Sequence, residues 1–136
     1  ASLVGSEMCI RDRYQHVLEP LYAYLMIAKA QYGNIKFADC YNVGPDECDC
    51  ITTGELVDLF VKYAGNINRI DKSEKDAVHE ANFLKLDCSK LKTVFGWKPH
   101  WHVDDAVKKT VEWSCCYMEN GNVRDCMDRQ IEEFLK

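Results

Sequence analysis

Four stretches of helical period, each shut by glycine or asparagine, break this sequence into short helices rather than long strands or one continuous coil. Over residues 17–32, Leu18, Leu21, Tyr22, Leu25 and Ala28 recur at helical spacing and predict a buried stripe. Pro20 suits the first turn, where a missing N–H costs nothing, and Gly33-Asn34 supplies the stop. Thr52 followed three residues later by Glu55 spells a capping box, after which Leu56, Leu59, Phe60 and Tyr63 keep the spacing until Gly65-Asn66. A shorter helix over 89–95 is closed by Gly96, with Pro99 just beyond. Val103, Val107, Val111, Ser114 and Met118 mark a further helix that begins near Asp104, an acid well placed at the positive helix end, and Asn120-Gly121-Asn122 ends it. A last amphipathic stretch puts Met127, Ile131 and Phe134 on one side.

Strand candidates are few and short: residues 40–43, 67–70 and 83–87. The polar span 71–82 between the last two reads as a loop, long enough to be either mobile or ligand-facing. A strand at 40–43 has no apolar sister in this chain, and its unpaired backbone groups predict a sheet whose other members lie upstream. An edge left open in this way predicts marginal stability and self-association.

Composition removes several function classes. The 136 residues suit one compact unit and are short for a two-domain cofactor enzyme. No apolar run is long enough to cross a bilayer, and a net charge of −5 with scattered basic residues offers no footprint for nucleic acid. Eight cysteines without a CxxC pair or an upstream secretory segment favour reduced thiols in a cytoplasmic protein. A thiol-rich metal-binding module is the alternative they keep open, although the spacing of a four-thiolate zinc site is missing.

Candidate chemistry sits at a few points. Tyr32 and Lys36 have the YxxxK spacing that places a lysine one helical turn from an acid/base tyrosine, but Gly33-Asn34 inside the motif breaks the helix that geometry requires. No glycine-rich dinucleotide loop is present. His100 and His102 share a face if extended and could meet a metal, yet no third ligand follows from spacing, and surface histidines beside packed tryptophans are the simpler reading. Gln15, His16 and Glu19 stand at a helix start, where polar side chains and free N–H groups either cap the helix or meet a ligand. His79-Glu80, near the end of the polar loop, pose the same choice.

Taken in order, YQHVLEPLYAYL, YNVGPDE, TTGELVDLF, HEANFLKLDCSKLKTVFGWKPHW and TVEW resemble the C-terminal portion of CDP-glucose 4,6-dehydratases, members of the extended short-chain dehydrogenase/reductase superfamily. The resemblance runs from Tyr14 nearly to Lys136. The YNVG stretch and the LD-SK-GW-P ending are shared by many nucleotide-sugar enzymes, whereas QHVLEP and HEA resemble the CDP-glucose branch. Before QHVLEP, family members carry Arg-Pro followed by an aromatic residue, whereas here Asp12 and Arg13 precede Tyr14. MCIRDR matches a translated sequencing-library adapter, so residues 1–13 are expected to be non-native and 14–136 to be the nucleotide-sugar-binding portion.

The resemblance implies an α/β protein in which this chain is the helix-rich, C-terminal substrate-binding part, with few short strands and no complete Rossmann sheet. It implies a parent lyase in which NAD oxidises the sugar at C4, water is lost between C5 and C6, and the hydride returns to C6. NAD-binding and catalytic motifs would lie in a missing N-terminal Rossmann part, leaving this chain inactive alone; the parent would be a homodimer acting on a CDP-sugar. Gln15 and His16 match the motif beside the nucleotide-sugar site, and His79 and Glu80 the loop motif that covers it. Glu19, Asp87 and Lys90 match too and are assigned to helix starts and packing. Asp12, in the place of the family's arginine, would repel a pyrophosphate and weaken binding. Another nucleotide-sugar epimerase or dehydratase is the alternative reading.

Overall fold

The expected helices all form in the computed structural model, which describes residues 11–65, 67–70 and 86–136. They are α1 (Leu18–Gly33), α2 (Thr53–Ala64), α3 (Ser89–Phe95), α4 (Val103–Met118) and α5 (Val123–Phe134), with 3-10 turns at Ile35–Phe37 and Glu47–Asp49. The Thr52 hydroxyl accepts from Glu55 N, and the Glu55 carboxylate accepts from Thr52 N at 2.7 Å, closing both halves of the capping box on α2. Gly65 and Gly96 end α2 and α3 at φ 74° and 65°, values a side chain would strain.

Two two-residue strands, β1 (Arg11–Asp12) and β2 (Ile51–Thr52), pair antiparallel with Arg11 opposite Thr52. Residues 40–43 do not form the expected strand. Tyr41 and Val43 instead pack against a core of Ala23, Leu91 and Trp97, and Asn42 Nδ2 donates to the Asp87 carbonyl at 3.0 Å. With no ladder partner among the described residues, side-chain burial fixes this segment. Residues 67–70 are likewise not strand, and most of 83–87 lies outside the described residues.

A second core joins α2 to α4: Val103, Val107 and Val111 meet Leu56, Leu59, Phe60 and Tyr63, the spacing expected of both helices. On two other helices the buried face is not the expected one. In α1, Glu19 and Ala23 are buried, with Tyr22 and Met26 packed beside them, while Leu21 and Leu25 stand 47% and 71% exposed. This helix is apolar on more than one side, so periodicity could not choose the face. In α5, Cys126, Gln130 and Phe134 turn inward, and Met127 and Ile131 are left exposed. Phe134 decides that rotation by fitting edge-on to Tyr22 and Trp101, while Gln130 Nε2 donates to the Lys109 carbonyl at 2.9 Å.

Candidate functional site

The polar residues before α1 are held by the helix itself. Val17, the N-cap, gives no side-chain bond, and His16 acts in its place: Leu18 N donates to His16 Nδ1 at 3.3 Å. A ring nitrogen that accepts is unprotonated, so the neutral tautomer carries its hydrogen on Nε2 and offers that nitrogen as a donor. The ring also stands edge-on to Trp101, with centroids 4.9 Å apart. Burial, and after it the charge of Lys109, hold the His16 pKa below the ordinary histidine value, which keeps the ring neutral. Gln15 is half-buried, and its Oε1 is buried with no hydrogen-bond partner among the described residues.

His16 opens onto an apolar groove of about 330 Å³ between α1, α4 and α5, walled by Lys109, Trp113, Met127, Gln130 and Ile131. Trp113 lies flat against Tyr117, their planes 6° apart. Burial pushes the Lys109 ammonium down, but Glu133 and Glu112 outweigh it and hold its pKa above the ordinary lysine value. Sequence reasoning missed Lys109 and Trp113, because the face α4 turns toward α5 follows from the tertiary fit and not from the spacing. Met127 and Ile131, expected in the core from their spacing, line the groove instead.

Behind His16 lies a clamp. Glu19 is fully buried, and its Oε1 accepts from His100 N at 2.9 Å and Trp101 N at 2.7 Å. The other oxygen has no hydrogen-bond partner among the described residues, with His100 Nδ1 3.9 Å away. Burial raises the Glu19 pKa, and the two backbone donors partly offset this. On the far side of the same segment Asp49, also buried, accepts from Val103 N at 3.0 Å and meets His102 Nδ1 at 2.8 Å. Residues 100–103 are thus gripped by one carboxylate from α1 and another from the Glu47–Asp49 turn. The Asp49 anchor was not foreseen.

Other expectations can now be placed. Tyr32 is 97% exposed at the end of α1, Asn34 is extended at φ −157°, and Lys36 sits in a separate 3-10 turn, so Tyr32 and Lys36 share no helix. Asp87 accepts from Ser89 N at 2.9 Å at the start of α3, and Lys90 pairs with Asp39, as a helix-start and packing role requires. Cys88 is buried. His79 and Glu80 lie outside the described residues.

No protein-family model matches the chain. The CDP-glucose 4,6-dehydratase of Salmonella typhimurium strain LT2 is 32% identical to it over 137 residues, covering 96% of this chain and 38% of that enzyme. A probable dTDP-glucose 4,6-dehydratase of Sinorhizobium fredii is 44% identical over 43 residues, covering 32% of this chain and 11% of that protein. Along nearly its whole length the chain is thus similar to a nucleotide-sugar 4,6-dehydratase, and it spans well under half the length of either of these relatives.

Proposed function

We propose that the chain is the nucleotide-sugar-binding portion, C-terminal in its parent, of an NAD-dependent CDP-glucose 4,6-dehydratase, and that it is inactive alone. The observation that carries this reading is the position of His16: a half-buried ring whose Nδ1 is taken up by Leu18 N, lining an apolar groove with Trp113, in a chain similar to a CDP-glucose 4,6-dehydratase. A nucleotide sugar needs such a combination, a flat apolar wall for one part and fixed donors and acceptors for its hydroxyl and carbonyl groups. Lys109 is already engaged by Glu112 and Glu133, which suits the groove to an uncharged part of the ligand better than to its pyrophosphate. Gln15, His79 and Glu80 are carried over by their place in the family motif, Gln15 beside His16 and the other two as cover.

The sequence contains no glycine-rich dinucleotide loop, so these residues give an NAD pyrophosphate no cradle, and no hydride step is placed on them. The exposed Leu21, Tyr24 and Leu25 on α1 support a Rossmann part packed over that helix in the parent. The parent is further proposed to be a homodimer.

The test uses the complete enzyme, obtained by extending the reading frame upstream. His16→Ala is expected to raise KM for CDP-glucose about tenfold, the loss of roughly one ligand hydrogen bond, with a smaller effect on kcat. An unchanged KM would remove His16 from the site. The Sinorhizobium match keeps dTDP-glucose as the second reading; a kcat/KM higher for dTDP-glucose than for CDP-glucose would select it.

A further inference from the structure

The clamp at Asp49 brings together a second set of groups that the nucleotide-sugar reading does not use. Cys48 Sγ, an Asp49 carboxylate oxygen and a His102 ring nitrogen all lie within 4.8 Å of one another. They come from the Glu47–Asp49 turn and the residue preceding α4, and Val103 N–H fixes the carboxylate by holding Oδ1. That leaves Oδ2 facing His102 Nδ1 at 2.8 Å and Cys48 Sγ at 3.9 Å. From this geometry we propose that Cys48, Asp49 and His102 form a binding site for a thiophilic divalent cation of the zinc class, with water completing the coordination.

The chemistry fits on three counts. One thiolate, one imidazole and one carboxylate are a donor set for a borderline-soft ion, and magnesium or calcium would reject the sulfur. Ligand bonds of about 2.0–2.3 Å set tetrahedral edges of roughly 3.3–3.7 Å. The sulfur-to-oxygen edge is close to that range, the nitrogen-to-oxygen edge must open by about half an ångström, and the sulfur-to-nitrogen edge, within 4.8 Å, closes as the exposed Cys48 and His102 side chains turn toward the ion. Both Cys48 and His102 are exposed, so a cation and its water can reach the site. Without a cation, partial burial together with Asp49 and Asp46 holds the Cys48 thiol above its ordinary pKa. A bound dication reverses that balance: the thiol proton leaves to solvent, and the thiolate takes up the coordination bond. The bound ion would pin the turn to the start of α4.

The test is a titration of the whole chain with Cd2+ under a thiol-free reductant, following the ultraviolet thiolate-to-metal charge-transfer band. One saturable equivalent is expected, with affinity lowered at least tenfold in Cys48→Ser and in His102→Ala and unchanged in Cys40→Ser and Cys115→Ser. Zn2+ should displace the probe and raise the Tm of the parent chain but not of Cys48→Ser. Absence of saturable binding, or equal affinity in Cys48→Ser, would overturn the site. The result does not depend on sugar-nucleotide binding, so this proposal and the proposed function fail separately.

Discussion

Glu19 and Asp49 are both buried carboxylates that grip one four-residue segment, yet they are satisfied to different degrees. Asp49 uses one oxygen on Val103 N and the other on His102. Glu19 places both backbone donors on a single oxygen and leaves the second without a hydrogen bond. The difference teaches where charge is tolerated. Asp49 sits beside a half-exposed imidazole able to carry the opposite charge, whereas Glu19 lies in the interior, where burial dominates its pKa and favours the neutral acid. The first anchors a helix start and faces an imidazole; the second is held chiefly as an acceptor of backbone N–H groups.

The largest effect should come from cutting the interior anchor. Glu19→Ala strands two N–H donors and empties a fully buried volume, so a loss of about 3 kcal/mol is expected in urea unfolding. Asp49→Ala removes the cap on Val103 and the His102 partner, and about 2 kcal/mol is expected in the same measurement. If Asp49→Ala proved the more damaging, the contrast would be reversed.

Glu19→Gln keeps an acceptor and discards the charge, so its cost at neutral pH should stay below about 1 kcal/mol. It should also change the pH profile. A carboxyl whose folded pKa is raised contributes stability that is full below its unfolded pKa and lost as pH rises through the folded value. The parent chain should therefore lose stability over that window just above the ordinary carboxylate range, and Glu19→Gln should not.

The smallest effects concern the histidines, and their signs differ. Asp49 raises the His102 pKa by its hydrogen bond, so that pair's contribution is present below the ordinary histidine pKa and lost as pH rises through the folded value. More than half of the His102 side chain is exposed, so screening keeps this contribution below about 0.5 kcal/mol. Burial lowers the His16 pKa, so its contribution is present above the ordinary value and lost as pH falls through the folded one. NMR titration of the two imidazoles should show His102 above and His16 below an unperturbed histidine.

What the sequence made legible was local. The Thr52–Glu55 box, the Gly65 and Gly96 stops, the α2 stripe and the Val103, Val107, Val111 part of the α4 stripe are settled within a few residues of themselves and formed where expected, while Met118 at the end of that stripe is 77% exposed. The clamp joins residues 81 and 82 positions apart on one side, and 53 and 54 on the other, distances over which no spacing rule operates. The face of α1 was hidden for a related reason, since more than one side of it could be buried and Glu19 made the choice through tertiary contacts, and in α5 the fit of Phe134 against Tyr22 and Trp101 turned the helix away from its Met127 and Ile131 side. Of the candidate site, Gln15 and His16 rest on a motif alone, while the groove that His16 lines depends on that same rotation of α5.

The most direct test of the account is an amide and imidazole NMR titration of the folded chain with CDP-glucose. The account predicts shifts at Gln15, His16, His79, Glu80 and the Trp113 indole, with Cys48 and His102 unmoved. Shifts confined to other residues, or no shifts up to millimolar ligand, would contradict it.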